Sequence, residues 1–257
     1  MLLAIDIGNT LTNFAIYDDK GLVESFKMES STSKSLDEVK VLFTFYYNSI
    51  KRDNFLIDQI IISSVVPSLT SHYRSIAFSV FSLRPLILSP GLKTGLQLKV
   101  DEPKTVGSDI IAAAVGARKK YGNSLFVADL GTANKYIYID KDGAFSGLVI
   151  SPGMMISYEA LTSKAASLME TSLIMPEKVI GKNTAECINS GVLNGTIYEI
   201  KGFLEAFEKQ TGIKLKPIIT GGNSTKIKDH IDGFTYDPNL VLDGLFEIAT
   251  LVKNRRK

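Results

Sequence analysis

Leu2-Leu3-Ala4-Ile5-Asp6-Ile7-Gly8-Asn9-Thr10 opens the chain, and Leu125-Phe126-Val127-Ala128-Asp129-Leu130-Gly131-Thr132-Ala133 repeats its pattern near the midpoint. In both, a short apolar run stops at an aspartate, glycine follows two positions later, and small polar residues come next. A second strand-like run follows each turn, Asn13 to Tyr17 and Tyr136 to Ile139. Each ends at a further turn, Asp18-Asp19-Lys20-Gly21 and Asp140-Lys141-Asp142-Gly143. Repetition on this scale predicts two similar half-molecules, not a solenoid. The chemistry of one unit is specific. A buried strand delivers a carboxylate to its end, and glycine lets the backbone turn close to a ligand. The amides and hydroxyls that follow can hold phosphate oxygens, while the carboxylate holds a cation or its water. One copy alone reads equally well as an ordinary hairpin; two in matched strand-turn-strand contexts favour the ligand-binding reading.

At 257 residues the chain has room for one large domain or two moderate ones. Hydrophobic residues at 45% and charged residues at 22% fit a globular domain with a real core and exclude a disordered chain. A net charge of +2 points to no particular partner, and the basic end Lys253-Asn254-Arg255-Arg256-Lys257 reads as a solvated tail. No apolar run reaches the roughly 18–20 residues that span a bilayer. No signal peptide is expected, because Met1 leads directly into a strand and the acidic turn. The single cysteine, Cys187, excludes an internal disulfide and fits a reducing cytoplasm; its helical setting predicts a buried, inert thiol. Two histidines, His72 and His230, are too few for a histidine-rich metal site.

Read in order, the first half predicts a third hairpin strand, Leu22 to Met28, and then helix and strand in alternation. Ser35-Leu36-Asp37-Glu38 has capping-box spacing. Leu36, Val39, Phe43, Tyr46 and Ile50 follow near helical period, up to a polar cluster at Lys51-Arg52-Asp53-Asn54. Gln59 to Val66 is a continuous β-branched run, as in a strand covered on both faces. Pro67-Ser68 ends it, Leu69 to Phe81 reads as a helix, and Pro85 to Leu88 as a short strand. Ser89 to Val106 is a loop region with one short strand at Leu96 to Val100. Gly107-Ser108-Asp109 leads into an alanine-rich helix, Ile110 to Lys120, so Asp109 lies at a helix N-terminus. An aspartate there also does no more than favour the helix dipole, so its position alone leaves a structural role open.

The second half repeats the hairpin and adds Ala144 to Ile150, a turn at Ser151-Pro152-Gly153 and a helix from Met154 to Ser167. Gly181-Lys182-Asn183-Thr184 sets up a long helix to about Gln210. Ser190, Gly191, Asn194 and Gly195 form a stripe of small residues on it, suited to close packing against another helix, from this chain or a second copy. Lys216 to Ile219 is a strand end, and Thr220-Gly221-Gly222-Asn223 a glycine turn of the kind that seats a nucleotide in α/β proteins. Asp237-Pro238-Asn239 is expected to cap the last helix, Leu240 to Lys253. The expected domains are residues 1–120 and 121–257.

Five motifs in order, Asp6-Ile7-Gly8-Asn9-Thr10, Ser63-Ser64-Val65-Val66-Pro67, Gly107-Ser108-Asp109, Asp129-Leu130-Gly131-Thr132-Ala133 and Gly181-Lys182-Asn183-Thr184, resemble the type III pantothenate kinases. Thr220-Gly221-Gly222 and Asp237-Pro238-Asn239-Leu240 add to the resemblance. It implies an α/β chain with a duplicated RNase H-like (actin-like ATPase) fold, two similar halves whose mixed β-sheets are flanked by helices, with ATP in the cleft between them. It implies a kinase that phosphorylates the hydroxyl of pantothenate, giving 4'-phosphopantothenate, the first step towards coenzyme A. The implied enzyme is a cytoplasmic homodimer with its active site near the interface. Asp6, Ile7, Gly8, Asn9, Thr10, Leu11, Thr12 and Asn13 then match the phosphate-binding loop, and Thr132 a second ATP contact. The glycine turn Gly221-Gly222 is the further nucleotide seat. Asp6 is expected to serve magnesium-bound ATP, and Asp129 a monovalent cation, potassium or ammonium. Asp109 matches the base that takes the proton from the substrate hydroxyl. Gly107, Ser108, Ile110, Val100 and Thr184 are the substrate-side residues.

The departures from that family are local. Its members usually read glycine-alanine-aspartate-arginine where this chain has Gly107-Ser108-Asp109-Ile110, and a pocket tyrosine aligns at Val100. Two threonines usually follow where Asn134 and Lys135 stand, and a glycine pair is here Gly147-Leu148. Lys135 follows the nucleotide loop and is expected to face phosphate or solvent. The nucleotide machinery is thus retained while the pantothenate pocket is altered. Two alternatives remain open at this point: a catalytically weakened, nucleotide-binding regulator of the Baf type, or a kinase for another small hydroxyl compound. No helix has the basic face of a DNA reader, which argues against nucleic acid.

Overall fold

The computed structural model describes residues 1–52, 55–164 and 172–255, and these form two compact units. The expected helix end at Asp53-Asn54, the last turn of the expected helix 154–167 and the tip of the basic tail lie outside the described residues.

The first unit comprises Met1–Gln97, Asp101–Lys120 and the chain from Asn239 onward. Its sheet grows from β1 (Leu2–Ile7), which folds back antiparallel on β2 (Leu11–Asp18), and β2 on β3 (Gly21–Glu29). Helix α1 (Leu36–Ile50) starts at a complete capping box between Ser35 and Glu38. It returns the chain to β4 (Gln59–Ser64), parallel to β1, and α2 (Pro67–Phe81) leads to the short β5 (Leu86–Ile87). Pro67 sits in the first turn of α2, where its missing N–H costs nothing. The order is β3-β2-β1-β4-β5. Between sheet and helices lies an aromatic core in which Phe14 stacks on Phe26 at 4.4 Å and meets Tyr73 edge-on at 5.5 Å.

Helices α3 (Ser108–Tyr121) and α7 (Leu240–Asn254) also belong to this unit apart from Tyr121. They touch backbone to backbone: a Cβ on Gly244 would lie 1.8 Å from the Ala112 carbonyl oxygen, and one on Gly116 2.3 Å from that of Leu240. Phe246 stacks on Tyr17 at 4.7 Å, and Gln59 donates to the Ala249 carbonyl. So α7, which lies within the 121–257 expected for the second half, packs with the first. Its wide apolar stripe (Leu240, Leu242, Leu245, Ile248, Ala249) is buried there.

The second unit comprises Leu98–Val100 and Tyr121–Pro238. Strand β6 (Leu125–Leu130) is buried at every residue. It pairs antiparallel with β7 (Ala133–Ile139), which pairs with β8 (Phe145–Pro152). Helices α4 (Met154–Lys164), α5 (Thr184–Asn189) and α6 (Gly195–Thr211) follow, with a π-helical turn, Ser190–Asn194, joining α5 to α6. Then come β9 (Lys216–Thr220), parallel to β6, and β10 (Thr235–Tyr236). The order β8-β7-β6-β9-β10 repeats that of the first sheet strand for strand. This is a duplicated RNase H-like α/β fold.

Two local expectations are corrected, and a third is made specific. The strand expected at 96–100 is a single parallel bridge, Leu98 to Phe145, beside which the Lys99 N–H donates to the Phe145 carbonyl at 2.8 Å. The expected cap Asp237-Pro238-Asn239 precedes α7 with Asn239 at the cap position, and Asp237, buried at 5% exposure, accepts a hydrogen bond from the Tyr121 hydroxyl at 2.9 Å. Cys187 is exposed, its thiol 3.5 Å from the Gly181 carbonyl oxygen.

Candidate functional site

In the first unit the candidate residues gather where β1 ends. Asp6, half-buried, is opposite Asn13 on β2 and opposite Ser63 on β4. The connecting turn is tight, closed by Gly8 N–H to the Leu11 carbonyl at 3.0 Å, and leaves Asn9, Thr10 and Leu11 exposed. Below it, Thr12 is fully buried and shares a 2.8 Å hydrogen bond with Ser30. Burial pushes the neighbouring Tyr73 hydroxyl up to about 12, against a hydrogen bond with Thr12, so it stays a neutral partner at any physiological pH.

Ser63 links this corner to the start of α3. It is fully buried, and its hydroxyl donates to the Ser108 Oγ at 3.0 Å. The Ser108 Oγ also accepts from the Ser64 N–H at 3.0 Å and donates to the Ser64 carbonyl at 3.1 Å. Ser108 is thus a staple that pins the first turn of α3 to the end of β4. Asp109, the next residue, lies half-buried in that first turn. Its Oδ1 passes so close to Gly107 that a Cβ there would stand 2.6 Å away. Ile110, the next residue, is buried at 7% exposure.

In the second unit the repeated turn sits in a glycine-walled cradle. Gly221, at φ +90, brings its Cα so close to the end of β6 that a Cβ would meet the Leu130 carbonyl at 2.5 Å and the Asp129 Oδ1 at 2.6 Å. No residue other than glycine suits both that φ and that space. From the other side Gly153 donates to the Thr132 carbonyl at 3.1 Å, and a Cβ on it would lie 2.3 Å from the same oxygen. Asn223 donates to the Gly131 carbonyl at 2.9 Å. Thr132 and Gly222 remain exposed. The turn is therefore held by its backbone while Thr132 and Gly222 lie at the surface, and a hydroxyl and backbone amides at such a turn suit phosphate recognition.

Asp129, at 6% exposure, is opposite Lys135 in the β6–β7 ladder. The Lys135 ammonium does not reach out to solvent; it turns back to Asp129 Oδ2 at 2.9 Å and is itself 18% exposed. This pairing was missed in the sequence, although a two-residue turn at Gly131-Thr132 fixes the register that produces it. Gly153 and Asn223 were seen there only as turn residues, and Ser63 only as part of a motif.

Thr184 is exposed at the start of α5, where Asn183 accepts from the Glu186 N–H at 2.9 Å and Lys182 N–H donates to Glu186 at 2.8 Å. Val100 is half-buried beside Lys99, whose ammonium holds Asp140 at 2.7 Å. Burial opposes the Asp140 charge, but Lys99, the Ala144 and Asp142 amides and the Ser146 hydroxyl outweigh it and hold this carboxyl at about 2. No cluster of three metal-ligating side chains occurs among the described residues. A divalent ion here would need the phosphates of a bound nucleotide, the arrangement magnesium prefers. Among the described residues no helix is long and apolar enough to cross a membrane.

The family model of the type III pantothenate kinases matches residues 2–206. The type III pantothenate kinase of Listeria monocytogenes serovar 1/2a is 37% identical over 248 residues, 95% of each chain. A solved structure from Campylobacter jejuni, assigned to the Baf family of transcriptional activators, matches at TM-score 0.63 and 20% identity over 98% of this chain and 99% of that one. Another from Sinorhizobium meliloti, assigned as a 2-dehydro-3-deoxygalactonokinase, matches at TM-score 0.58 and 12% identity over 98% and 97%. At these identities the two structures bear on the fold alone.

Proposed function

The chain belongs to the type III pantothenate kinase family, and from that premise we infer that it transfers the γ-phosphoryl group of ATP to the hydroxyl of pantothenate, the first step of coenzyme A synthesis. The observation that carries the reading in this chain is Asp109. Its carboxylate stands in the first turn of a helix that Ser108 pins to Ser63, the residue opposite Asp6. In this reading the base, at the start of α3, and the nucleotide-binding carboxylate, near the end of β1, are held within the first unit through β4.

Phosphoryl transfer asks little covalent chemistry of a protein; it asks for positioning and charge compensation. Bound ATP with magnesium supplies the phosphoryl group. In this reading Asp6 holds the cation or its water, and the amides and hydroxyls of Gly8 to Asn13 and of Thr132 hold phosphate oxygens. Gly222, with open space where a Cβ would stand, lets the nucleotide approach the backbone closely. Asp109 accepts the hydroxyl proton as attack begins, which needs only hydrogen-bond reach. Thr184 and Val100 take the substrate side. Ile110 offers no guanidinium for the pantothenate carboxylate, so pantothenate should bind weakly for this family.

We also propose a homodimer in the cytoplasm. Its support is the α5–α6 face, where a Cβ on Gly191, Gly195 or Gly202 would meet nothing within 4 Å and Tyr198 is 54% exposed. Light scattering at micromolar concentration should give twice the chain mass.

The deciding experiment is ADP release from ATP and magnesium chloride with and without pantothenate, with mass spectrometry of the product. Pantothenate-dependent ADP and phosphopantothenate are expected. Nucleotide binding without pantothenate-dependent release would overturn the reading.

A further inference from the structure

The two repeated hairpins share backbone geometry and differ in charge. Both aspartates stand near the end of a central strand that pairs antiparallel with its hairpin partner and parallel with the next strand, β4 or β9. Yet Asp6 has the neutral Asn13 opposite it, whereas Asp129 has Lys135. The Lys135 ammonium lies 2.9 Å from Asp129 Oδ2, with the two side chains 18% and 8% exposed. It also lies beside the turn itself, since a Cβ on Gly131 would stand 4.0 Å from it.

We propose that Lys135 is a tethered monovalent cation. Its ammonium supplies at Asp129 the single positive charge that the family resemblance assigns to potassium, so this chain takes no free ion there. The residues present do not fit a free ion. One carboxylate oxygen is engaged by the ammonium, and the other faces the Gly221 backbone, where a Cβ would be 2.6 Å away. An incoming potassium ion would have to shed water and displace a charge of equal sign that the β6–β7 ladder holds in place. A tethered group wins that competition because its effective concentration is set by the fold and not by the medium.

The link to turnover rests on the kinase reading; the link to ion binding does not, and the test keeps them apart. Wild-type protein, Lys135→Met and Lys135→Arg are compared in potassium chloride, ammonium chloride and tetramethylammonium chloride at one ionic strength. Pantothenate-dependent ADP release and melting temperature are read in each, and thallium(I) binding by its NMR line broadening. Wild type should turn over at the same rate in all three salts, within about two-fold, since screening is held constant. It should melt at one temperature and broaden no thallium signal. Lys135→Met should lose roughly 10- to 150-fold of the rate in tetramethylammonium, the worth of one charged hydrogen bond, and recover with potassium or ammonium. It should also bind thallium and melt higher in potassium. Lys135→Arg should behave as wild type towards all three salts.

Several-fold stimulation of wild type by potassium, or thallium broadening by wild type, overturns the proposal. So does a folded Lys135→Met that neither binds thallium nor responds to potassium, because the lysine would then be a plain ion-pair partner. If Lys135→Met does not fold, the wild-type thallium measurement decides alone. If no variant releases ADP, the kinase reading fails while thallium and melting still settle the ion site.

Discussion

At the scale of single residues, Asp109 has two physical roles to separate. As a base it should matter to rate; as an acidic residue in a helix's first turn it should matter to stability. Asp109→Asn is expected to lower turnover by roughly 10²–10⁴-fold with ATP affinity unchanged. A loss of only about 1–2 kcal/mol in stability with turnover intact would make it a helix-dipole residue and nothing more. Ile110 poses the converse question. The Michaelis constant for pantothenate should be roughly 10- to 150-fold above that of relatives with arginine there, the worth of one charged hydrogen bond, with that for ATP ordinary. Ile110→Arg, however, places a guanidinium at a position now 7% exposed. The variant should bind pantothenate more tightly only if the side chain turns outward, and a lower melting temperature is the expected sign of the strain. Isothermal titration with pantothenate, read beside a thermal melt, checks both. The identities of Asp6, Asp109 and Asp129 were plain in the sequence. Their partners were not, because Ser63, Ser108 and Lys135 acquire meaning only when strand register is known.

Among elements, the strands were the most legible, since apolar runs ending at aspartate-glycine turns appear twice in equivalent order. Long continuous runs such as Gln59 to Val66 read as buried strands for the same reason. Helix phase was less so. The π-helical turn at Ser190–Asn194 inserts a residue between α5 and α6, so a 3.6-residue period read from one side misplaces residues on the other. Cys187, expected to be buried from its helical setting, is exposed. The cradle around the second turn depends on close approach, which gives Gly153 a sharp test. Gly153→Ala must push the 131–132 backbone aside, at about 1–3 kcal/mol for an overpacked site. It should raise the Michaelis constant for ATP more than that for pantothenate, as steady-state kinetics in both substrates would show. The β7–β8 connection carries the pH response. The folded-state value of the Asp140 carboxyl, about 2, lies below its ordinary 3.8. Its contribution is therefore complete above about pH 4 and is lost as pH falls through about 2. Asp140→Asn should leave neutral-pH activity in place, lower the melting temperature at pH 6, and flatten its decline between pH 4 and 2.

For the molecule as a whole, duplication was readable from the repeated hairpin, but the ownership of the last helix was not. An amphipathic helix advertises that it must cover something; it does not say which of two similar sheets. Gly244 settled the matter through backbone contact with Ala112 and Gly116, a fit that no hydrophobic pattern encodes. This has a consequence for how the protein is born. Domains made on the ribosome ordinarily complete themselves from the N-terminal end as the chain emerges. Here the reverse order applies. The second unit is complete once Pro238 has left the exit tunnel, while the first, begun at Met1, must wait for the final helix. The strands of the first unit therefore stay without this cover until α7 has emerged. Nascent chains stalled so that only residues up to 238 have emerged should show a protease-resistant second unit and a cleavable first one. Protection of the first unit should appear abruptly when α7 clears the ribosome.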